Sequence, residues 1–322
     1  MINNDFTPVG IDVSKATFDV CVNGKVCHYE NNEKGYQKLA VTLPSNSCCV
    51  MESTSTYGYR LADYLVGHGF AVSIVNPLSV KRFAQMNLSR TKTDHADAKL
   101  IAEYAKIAEL PKYVPPSDEM NELQQLETVL EQLIKQRTAL KNQLEALKQM
   151  PRPSKSAIKA LETTIKLLDK QIETIEQKMH QNAQSDCPEA YEKALSVKGI
   201  GKRTATLLMA ITHGFSLFDN SRQLSAYIGV CPRIAQSGTS IRGKTHICKL
   251  GLANVRATLY MCAHAAAKYN NACKKLYQRL IAKGKAKKVA LMAVVNKLIH
   301  QVFACVSKNV LFDNNYKISL GI

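Results

Sequence analysis

Apolar and polar residues alternate at the start of the chain, which is the period-two pattern of strands with two different faces. The alternation covers residues 9–14, resumes over 17–22 and, after the hairpin signal Asn23-Gly24, continues over 25–29. The chain is therefore predicted to open with a three-stranded antiparallel meander. Asp12 stands in the middle of the first strand, where a carboxylate is costly to bury unless it is paired or bound to a metal. By its position alone, Asp12 could equally face solvent or cap a turn.

Helices and strands then alternate. Residues 33–43 and 57–68 have helical spacing, whereas 47–51 and 70–75 are the short apolar runs of buried strands. The first run ends at Glu52, and Asn76-Pro77 after the second begins another helix. The order β-β-β-α-β-α-β-α is that of a ribonuclease-H-like α/β domain, in which the first and fourth strands lie side by side. That order predicts Glu52 next to Asp12.

The following helix begins with two acids. Asp94 and Asp97 are three residues apart and so lie on one helical face. Acids in a first turn also favour the helix dipole, and in isolation that is the plainer explanation. With Asp12 and Glu52 predicted at the same end of the sheet, the four carboxylates would converge and repel one another. A pair of Mg²⁺ ions is the usual counter-charge for such a cluster, and Mn²⁺ could replace Mg²⁺.

Two long segments after Pro115-Pro116 carry apolar residues at alternating spacings of three and four. In the first segment, with Arg137 as a polar exception, these residues are Leu123, Leu126, Leu130, Leu133, Leu140, Leu144 and Leu147. In the second, after a break at residues 150–153, they are Ile158, Leu161, Ile165, Leu168, Ile172, Ile175 and Met179. The pattern predicts an antiparallel coiled-coil hairpin with legs of about 45 Å. It leaves open whether the hairpin is a spacer, a dimerisation arm or an arm that holds RNA.

The charge of the chain is concentrated in its second half. The net charge of the 322 residues is +17; residues 1–185 carry 22 Lys and Arg against 21 Asp and Glu, whereas residues 186–322 carry 21 against 5. Residues 220–312 contain no acidic residue. A solvated surface does not account for so long a stretch without acids, so we expect a polyanionic partner, and nucleic acid rather than a membrane surface.

The overall composition, with 46% hydrophobic residues, is that of a globular protein. A secretory signal and an apolar run of about 18 residues are not evident, so no membrane span is predicted. The ten cysteines form neither a C-x-x-C pair nor a zinc-type spacing with histidine. They are expected to be reduced thiols in a cytoplasm.

Two motifs in the basic half are candidates for phosphate contact. Residues 195–205 have the form of a helix-hairpin-helix, in which Gly199 and Gly201 allow a tight turn and the next helix offers free amides beside Lys198 and Lys202. A plain helical connector would have the same pattern.

The second motif is a polar loop over residues 231–244, predicted between helices. It combines the cations Arg233, Arg242 and Lys244 with the hydroxyl residues Ser237, Thr239 and Ser240. Such a loop suits phosphate contacts alone, or a nucleophilic hydroxyl. Chemistry alone does not choose between these uses, or among the three hydroxyls.

These motifs, in this order and spacing, resemble nearly end to end the DEDD transposases of the insertion-sequence-110 type, the group that includes the Piv pilin-gene invertases. The matching segments are residues 10–15, 52–57, 75–77, 92–98, 199–201, Ser237-Gly238 and Arg242-Gly243. The 52–57 segment has Ser53 and Ser55 where relatives have Ala and Gly.

The resemblance implies a RuvC-like domain whose acidic tetrad is Asp12, Glu52, Asp94 and Asp97, with Ser237 as the nucleophile. It implies Mg²⁺-dependent cutting and rejoining of donor and target DNA through a phosphoserine, without ATP. It further implies dimers or tetramers in a bacterial cytoplasm at the nucleoid, and for some members a structured bridge RNA as guide. The expected domains are residues 1–114 (RuvC-like), 115–185 (coiled-coil hairpin) and 186–322 (basic and helical).

Three alternatives remain. A hydrolytic RuvC-like nuclease or Holliday junction resolvase would use the same acids with water as the nucleophile. A sugar kinase or actin-like ATPase also begins with Gly-Ile-Asp, but it requires a glycine where this chain has Ser14. A non-catalytic nucleic-acid-binding module would account for the basic half alone.

Overall fold

The computed structural model of the chain describes residues 6–53, 56–88, 93–233, 236–237, 241–242, 246–248 and 250–316, with the backbone alone at 236–237, 241–242 and 246. The chain forms two compact units, Met1–Pro115 and Pro116–Ile322.

The first unit is a five-stranded sheet with helices on both faces. Its strands are β1 (Thr7–Val13), β2 (Thr17–Val22), β3 (Lys25–Glu30), β4 (Ser47–Glu52) and β5 (Ala71–Val75). The strand order is β3-β2-β1-β4-β5, with β1, β2 and β3 antiparallel and β1, β4 and β5 parallel. The predicted α/β class, the meander and the adjacency of the first and fourth strands are confirmed.

The helices of this unit are α1 (Glu33–Thr42), α2 (Tyr59–Gly67), α3 (Pro77–Met86) and α4 (Asp94–Ile107), and a single 3₁₀ turn, Thr56–Gly58, precedes α2. Alternate residues of the strands enter different cores, as the period of two requires. Ile11 and Met51 pack with α1 and α2, whereas Cys48 and Val50 pack with α3 and α4.

The second unit begins with two long helices, α5 (Asp118–Lys148) and α6 (Lys155–Asp186). Ion pairs join Lys148 to Glu162 at 3.0 Å and Arg137 to Asp169 at 3.0 Å, so the helices run antiparallel. The apolar positions at spacings of three and four are all buried or half-buried. Arg137, the polar exception in the first helix, is satisfied by the carboxylate across the pair.

The remaining helices are α7 (Pro188–Ser196), α8 (Lys202–Thr212), α9 (Ser221–Ile228), α10 (Ala253–Tyr269), α11 (Asn271–Ala282) and α12 (Lys287–Ser307). They share one core with the base of the α5–α6 pair. Helix α12 packs against α7, α9, α10 and α11.

By length and composition α12 could cross a membrane, which differs from the expectation that no such segment exists. The core helix of a soluble protein passes the same test, and Val294, Val295 and Leu298 of α12 are fully buried in the helical core.

The segment after α9 differs from the predicted plain loop. It contains two short antiparallel ladders, β6 (Pro232–Arg233) with β9 (His246–Ile247), and β7 (Gln236–Ser237) with β8 (Ile241–Arg242). Along the chain the second ladder is nested within the first. The polar composition of the segment favoured a loop. Each ladder is held by backbone pairing over only two residues, which side-chain composition does not predict.

Candidate active site

Three carboxylates lie in a row across neighbouring strands of the sheet. Asp12 is paired in register with Asp19 of β2, and the parallel pairing of Ile11 with Met51 places Glu52 beside Asp12 on the other side. All three alternate with the residues of the other core, so they belong to the sheet face on which α4 packs. The predicted neighbourhood of Asp12 and Glu52 thus follows from the register.

Helix α4 brings the other two acids to this face. Thr93 caps the helix by accepting a hydrogen bond from the Ala96 amide at 3.2 Å, so Asp94 and Asp97 occupy its first turn. The helix touches β1 at Gly10, where an added Cβ would lie 2.1 Å from the Ala98 carbonyl oxygen. Only glycine allows this approach of helix and strand backbones.

The acids influence one another through their charges. Burial, followed by the negative charges of Asp97, Asp94 and Asp19, raises the pKa of Asp12 from 3.8 to about 6. Among the described residues, the side chains whose charges bear on Asp12 are all carboxylates. Such a group is stabilised by a cation, and an all-oxygen donor set is the one that Mg²⁺ prefers. The residue chemistry therefore fits a hard divalent ion.

The positions of the side chains are a separate matter from their chemistry. Within the part of the chain that the structure describes, no three His, Cys, Asp or Glu side chains converge closely enough to hold a metal ion. Glu52 is placed near Asp12 by strand register, whereas Asp94 and Asp97 are linked to Asp12 by their effect on its pKa.

Asp19 is an acid of this face that the sequence motifs did not single out. It is 3% exposed; its carboxylate contacts Nδ1 of His28 at 2.6 Å and Nδ1 of His95 at 3.2 Å. His95 lies between the two acids of α4, so Asp19 joins the helix start to β2. Pairing the alternating residues of β1 and β2 outward from their connection at residues 14–16 would have located it opposite Asp12.

The predicted helix-hairpin-helix turn lies between α7 and α8, and Lys198 and Lys202 are exposed there. Gly199 has φ +109° and faces Ala266, so both its conformation and its close contact require glycine. Gly201 has φ −96° and open space around it, so neither its conformation nor its surroundings require glycine. Asn270 holds the turn by donating to the Lys198 carbonyl oxygen at 3.2 Å.

Arg203, beside this turn, is occupied within the protein. It donates to both carboxylate oxygens of Glu127 of α5, at 2.5 and 2.9 Å, and the Glu127 side chain is nearly buried. Such a bidentate pair fixes α8 to α5. Arg203 is thus a structural cation, in contrast to the exposed Lys198 and Lys202.

The segment with the candidate nucleophile is described only in part. Ser237 is the last residue of β7 and pairs with Ile241, and Arg233 is exposed on β6. Arg242 is described by its backbone, and Lys244, Thr239 and Ser240 lie outside the described residues. Cys231 and Cys248 flank the β6–β9 ladder, and the Cys248 amide donates to the Cys231 carbonyl oxygen at 2.9 Å.

Comparison with known proteins gives separate family matches for the part of the chain with the acidic sheet face and for the part with the turn and the serine segment. A family model of DEDD, IS110-type transposases matches residues 9–150, and a model described as the transposase IS116/IS110/IS902 family matches residues 191–278. A pilin gene-inverting protein of Moraxella bovis is 34% identical over 325 residues, covering 95% of this chain and 98% of the relative. The chain belongs to the IS110-type transposase and pilin-gene invertase family.

This transposase-family chain is similar both to proteins named as pilin-gene invertases and to proteins named as transposases. The pilin gene-inverting protein of Moraxella lacunata is 32% identical, covering 95% of this chain and 98% of the relative. The transposase for insertion sequence element IS1111A of Coxiella burnetii is 26% identical, covering 94% and 90%. The expected family is thereby confirmed, and the protein is an enzyme of the transposase and recombinase class.

Proposed function

We propose that the protein is a divalent-metal-dependent DNA recombinase that cuts and rejoins strands through a serine ester. The observation that carries this proposal is the carboxylate row of Asp12, Asp19 and Glu52, with the acids of α4 on the same face. Membership of a transposase family supports DNA as donor and target. The strand order of the first unit and its acids favour a RuvC-like role for that unit.

Asp12, Glu52, Asp94 and Asp97 would hold the metal ions, with Mg²⁺ as the expected ion and Mn²⁺ as a substitute. The bound ions would stabilise charge developing on the scissile phosphate and the leaving oxygen. The raised pKa of Asp12 is a second sign of a site built for a cation, because perturbed carboxylates concentrate at functional sites. Asp19 would hold His95, and with it the start of α4, in place.

Ser237 is the proposed nucleophile. Its hydroxyl oxygen would bond to phosphorus while the bond to one deoxyribose oxygen breaks, and the released hydroxyl would take up a proton. A DNA hydroxyl then attacks the phosphoserine and releases the serine, so rejoining requires no ATP. The family resemblance selects Ser237 over its neighbours Thr239 and Ser240.

The helical unit would supply the nucleic-acid affinity. Residues 186–322 have a charge surplus of +16, which favours binding of phosphate backbones. Lys198 and Lys202, with the uncapped start of α8 after Gly199-Ile200-Gly201, are the proposed phosphate contacts at the turn; Arg233, Arg242 and Lys244 are those of the serine segment. The proposal also includes a structured guide RNA. It includes a coiled-coil arm formed by α5 and α6, and assembly of the chain into a dimer or tetramer.

The test is a search for a covalent adduct. The full chain is incubated with Mg²⁺, labelled DNA from the region flanking its gene and RNA transcribed from that region, and is then separated under denaturing conditions. We expect a protein–DNA adduct that Ser237→Ala abolishes, while Thr239→Ala and Ser240→Ala, the matched hydroxyl controls, retain it. Asp12→Asn should bind the DNA but form neither adduct nor cut product.

A hydrolytic nuclease or Holliday junction resolvase is the second candidate, because the acidic face alone would also suit attack by water. Cleavage by Ser237→Ala at the wild-type rate, with no adduct in the wild type, would favour it. Omitting the RNA tests the guide separately: unchanged adduct formation would remove the guide RNA from the proposal.

A further inference from the structure

We propose that a groove between α10, α11 and α12 binds an unpaired stretch of nucleic acid. The residues that line the groove differ from those of the helix-hairpin-helix turn and the serine segment, and the inference rests on the nucleic-acid function proposed above. The groove has a volume of about 650 Å³. Its floor includes Ala267 and the buried Leu291, and the rest of its lining combines aromatic rings with lysines.

The lysines come from all three helices. Lys268 of α10, Lys274 of α11 and Lys287 of α12 are exposed and line the groove. All residues that line the groove belong to the acid-free stretch 220–312, so none of the lining side chains is a carboxylate that could pair with the three ammonium groups. The Lys268 ammonium lies over the exposed Tyr269 ring, 5.1 Å from its centre, which keeps the charge at the rim. This arrangement suits a chain of phosphates.

The rings are held in fixed orientations. Tyr260 and Tyr277 are half-buried and pack against the core of the helical unit, while both remain part of the groove wall. The ring of the exposed His264 is perpendicular to that of Tyr260, with ring centres 5.1 Å apart and planes at 86°. Rings braced in this way are suited to stack on bases, and stacking accepts any base because each has a π-face.

The combination selects the ligand class. A duplex would use the lysines but keep its base faces covered, so the rings would contribute little. An acidic protein segment would also use the lysines, without a need for flat aromatic walls. An unpaired strand uses both, since its phosphates and its bases are accessible together.

The test uses the full chain and fluorescence anisotropy with three labelled probes: oligothymidylate, oligouridylate and a duplex of the same length. Tyr260→Leu and Tyr277→Leu keep an apolar side chain against the core but remove the ring. We expect each to weaken single-strand binding about ten-fold, a typical effect of losing one stacked base, and to leave duplex binding nearly unchanged. Tyr260→Phe and Tyr277→Phe should bind like the wild type, which would show that the ring rather than correct folding is measured.

A second experiment tests the lysines by comparing two triple variants that lose the same number of charges. Replacement of Lys268, Lys274 and Lys287 by Gln should lower the dependence of log Kd on log salt by about 2, the value for three phosphates of a single strand. The matched control replaces three exposed lysines of the first unit, Lys25, Lys34 and Lys38, by Gln, and should change the slope much less.

Equal effects of both triple variants, or Leu variants that bind single strands like the wild type, would overturn the inference. So would displacement of the strand by polyglutamate at the same charge concentration as by unlabelled oligonucleotide, which would favour an acidic protein partner. The two single-stranded probes show whether the groove prefers DNA or RNA. If groove variants bind normally while Ser237-dependent adducts form, the groove alone is wrong; if the wild type binds no nucleic acid, the proposed function fails as well.

Discussion

Replacing Asp12 by Asn should stabilise the metal-free protein, and the gain should depend on pH. In the folded chain the pKa of Asp12 is raised from 3.8 to about 6 by burial and by three neighbouring carboxylates. The folded state therefore binds a proton more tightly than the unfolded state. Stability is lost as pH rises through the window from about 4 to about 6, and it stays lower above that window.

The magnitude follows from the shift. A difference between 3.8 and about 6 corresponds to at most about 3 kcal/mol of destabilisation once Asp12 is ionised in both states, and solvent screening of the half-buried side chain reduces this to about 1–2 kcal/mol. At about pH 4.5, where most folded molecules are still protonated, the cost is about a third of that. Asn is neutral and nearly isosteric, so Asp12→Asn should recover these amounts at the respective pH values.

The assay is urea unfolding followed by circular dichroism, with a chelator present, at about pH 4.5 and about pH 8. Glu173→Gln, an exposed acid on α6, is the matched control and should change stability little at either pH. Added Mg²⁺ at the higher pH should stabilise the wild type and not Asp12→Asn. A gain from Asp12→Asn that is equal at both pH values, or a loss at the higher pH, would refute the inferred burial of a repelled carboxylate.

Three further predictions concern packing and use the same unfolding assay. Gly10→Ala should lose about 1–3 kcal/mol or more because the new Cβ meets the α4 backbone, whereas Gly67→Ala, which meets nothing within 4 Å, should be neutral; equal effects would contradict this. Arg203→Met should lose about 3–5 kcal/mol by leaving the nearly buried Glu127 carboxylate unpaired, and adding Glu127→Met should restore most of it. Asn270→Ala should lose about 1–3 kcal/mol by freeing the turn carbonyl and the α11 cap; an unchanged midpoint would show that water replaces both bonds.

Much of the first unit could be predicted from sequence because strand parity and turn chemistry are local. The period of two separated Asp12 from the face of Val9, Ile11 and Val13, and the strand order put Glu52 beside it; that α4 covers this face was not contained in the strand pattern. Asp19 was missed because its importance arises from cross-strand pairing with Asp12 and His28 and from a contact with His95, which is distant in sequence. The contact with His95 depends on the packing of α4 on the sheet, which local patterns do not contain.

The second unit shows the same division. The spacing of apolar residues predicted the α5 and α6 pair, since seam positions repeat along one helix. The short ladders around Ser237 were not predicted, because pairs of only two residues leave almost no alternating pattern. The groove on α10 to α12 was also not visible, as its rings and lysines come from three helices brought together by packing.

The contact of α4 with β1 at Gly10 bears on how such an enzyme can diverge. Because the approach is between two backbones, the offset between the strand acid and the helix acids is set without a side-chain spacer. Core residues elsewhere can exchange one apolar side chain for another of similar volume while that offset is kept.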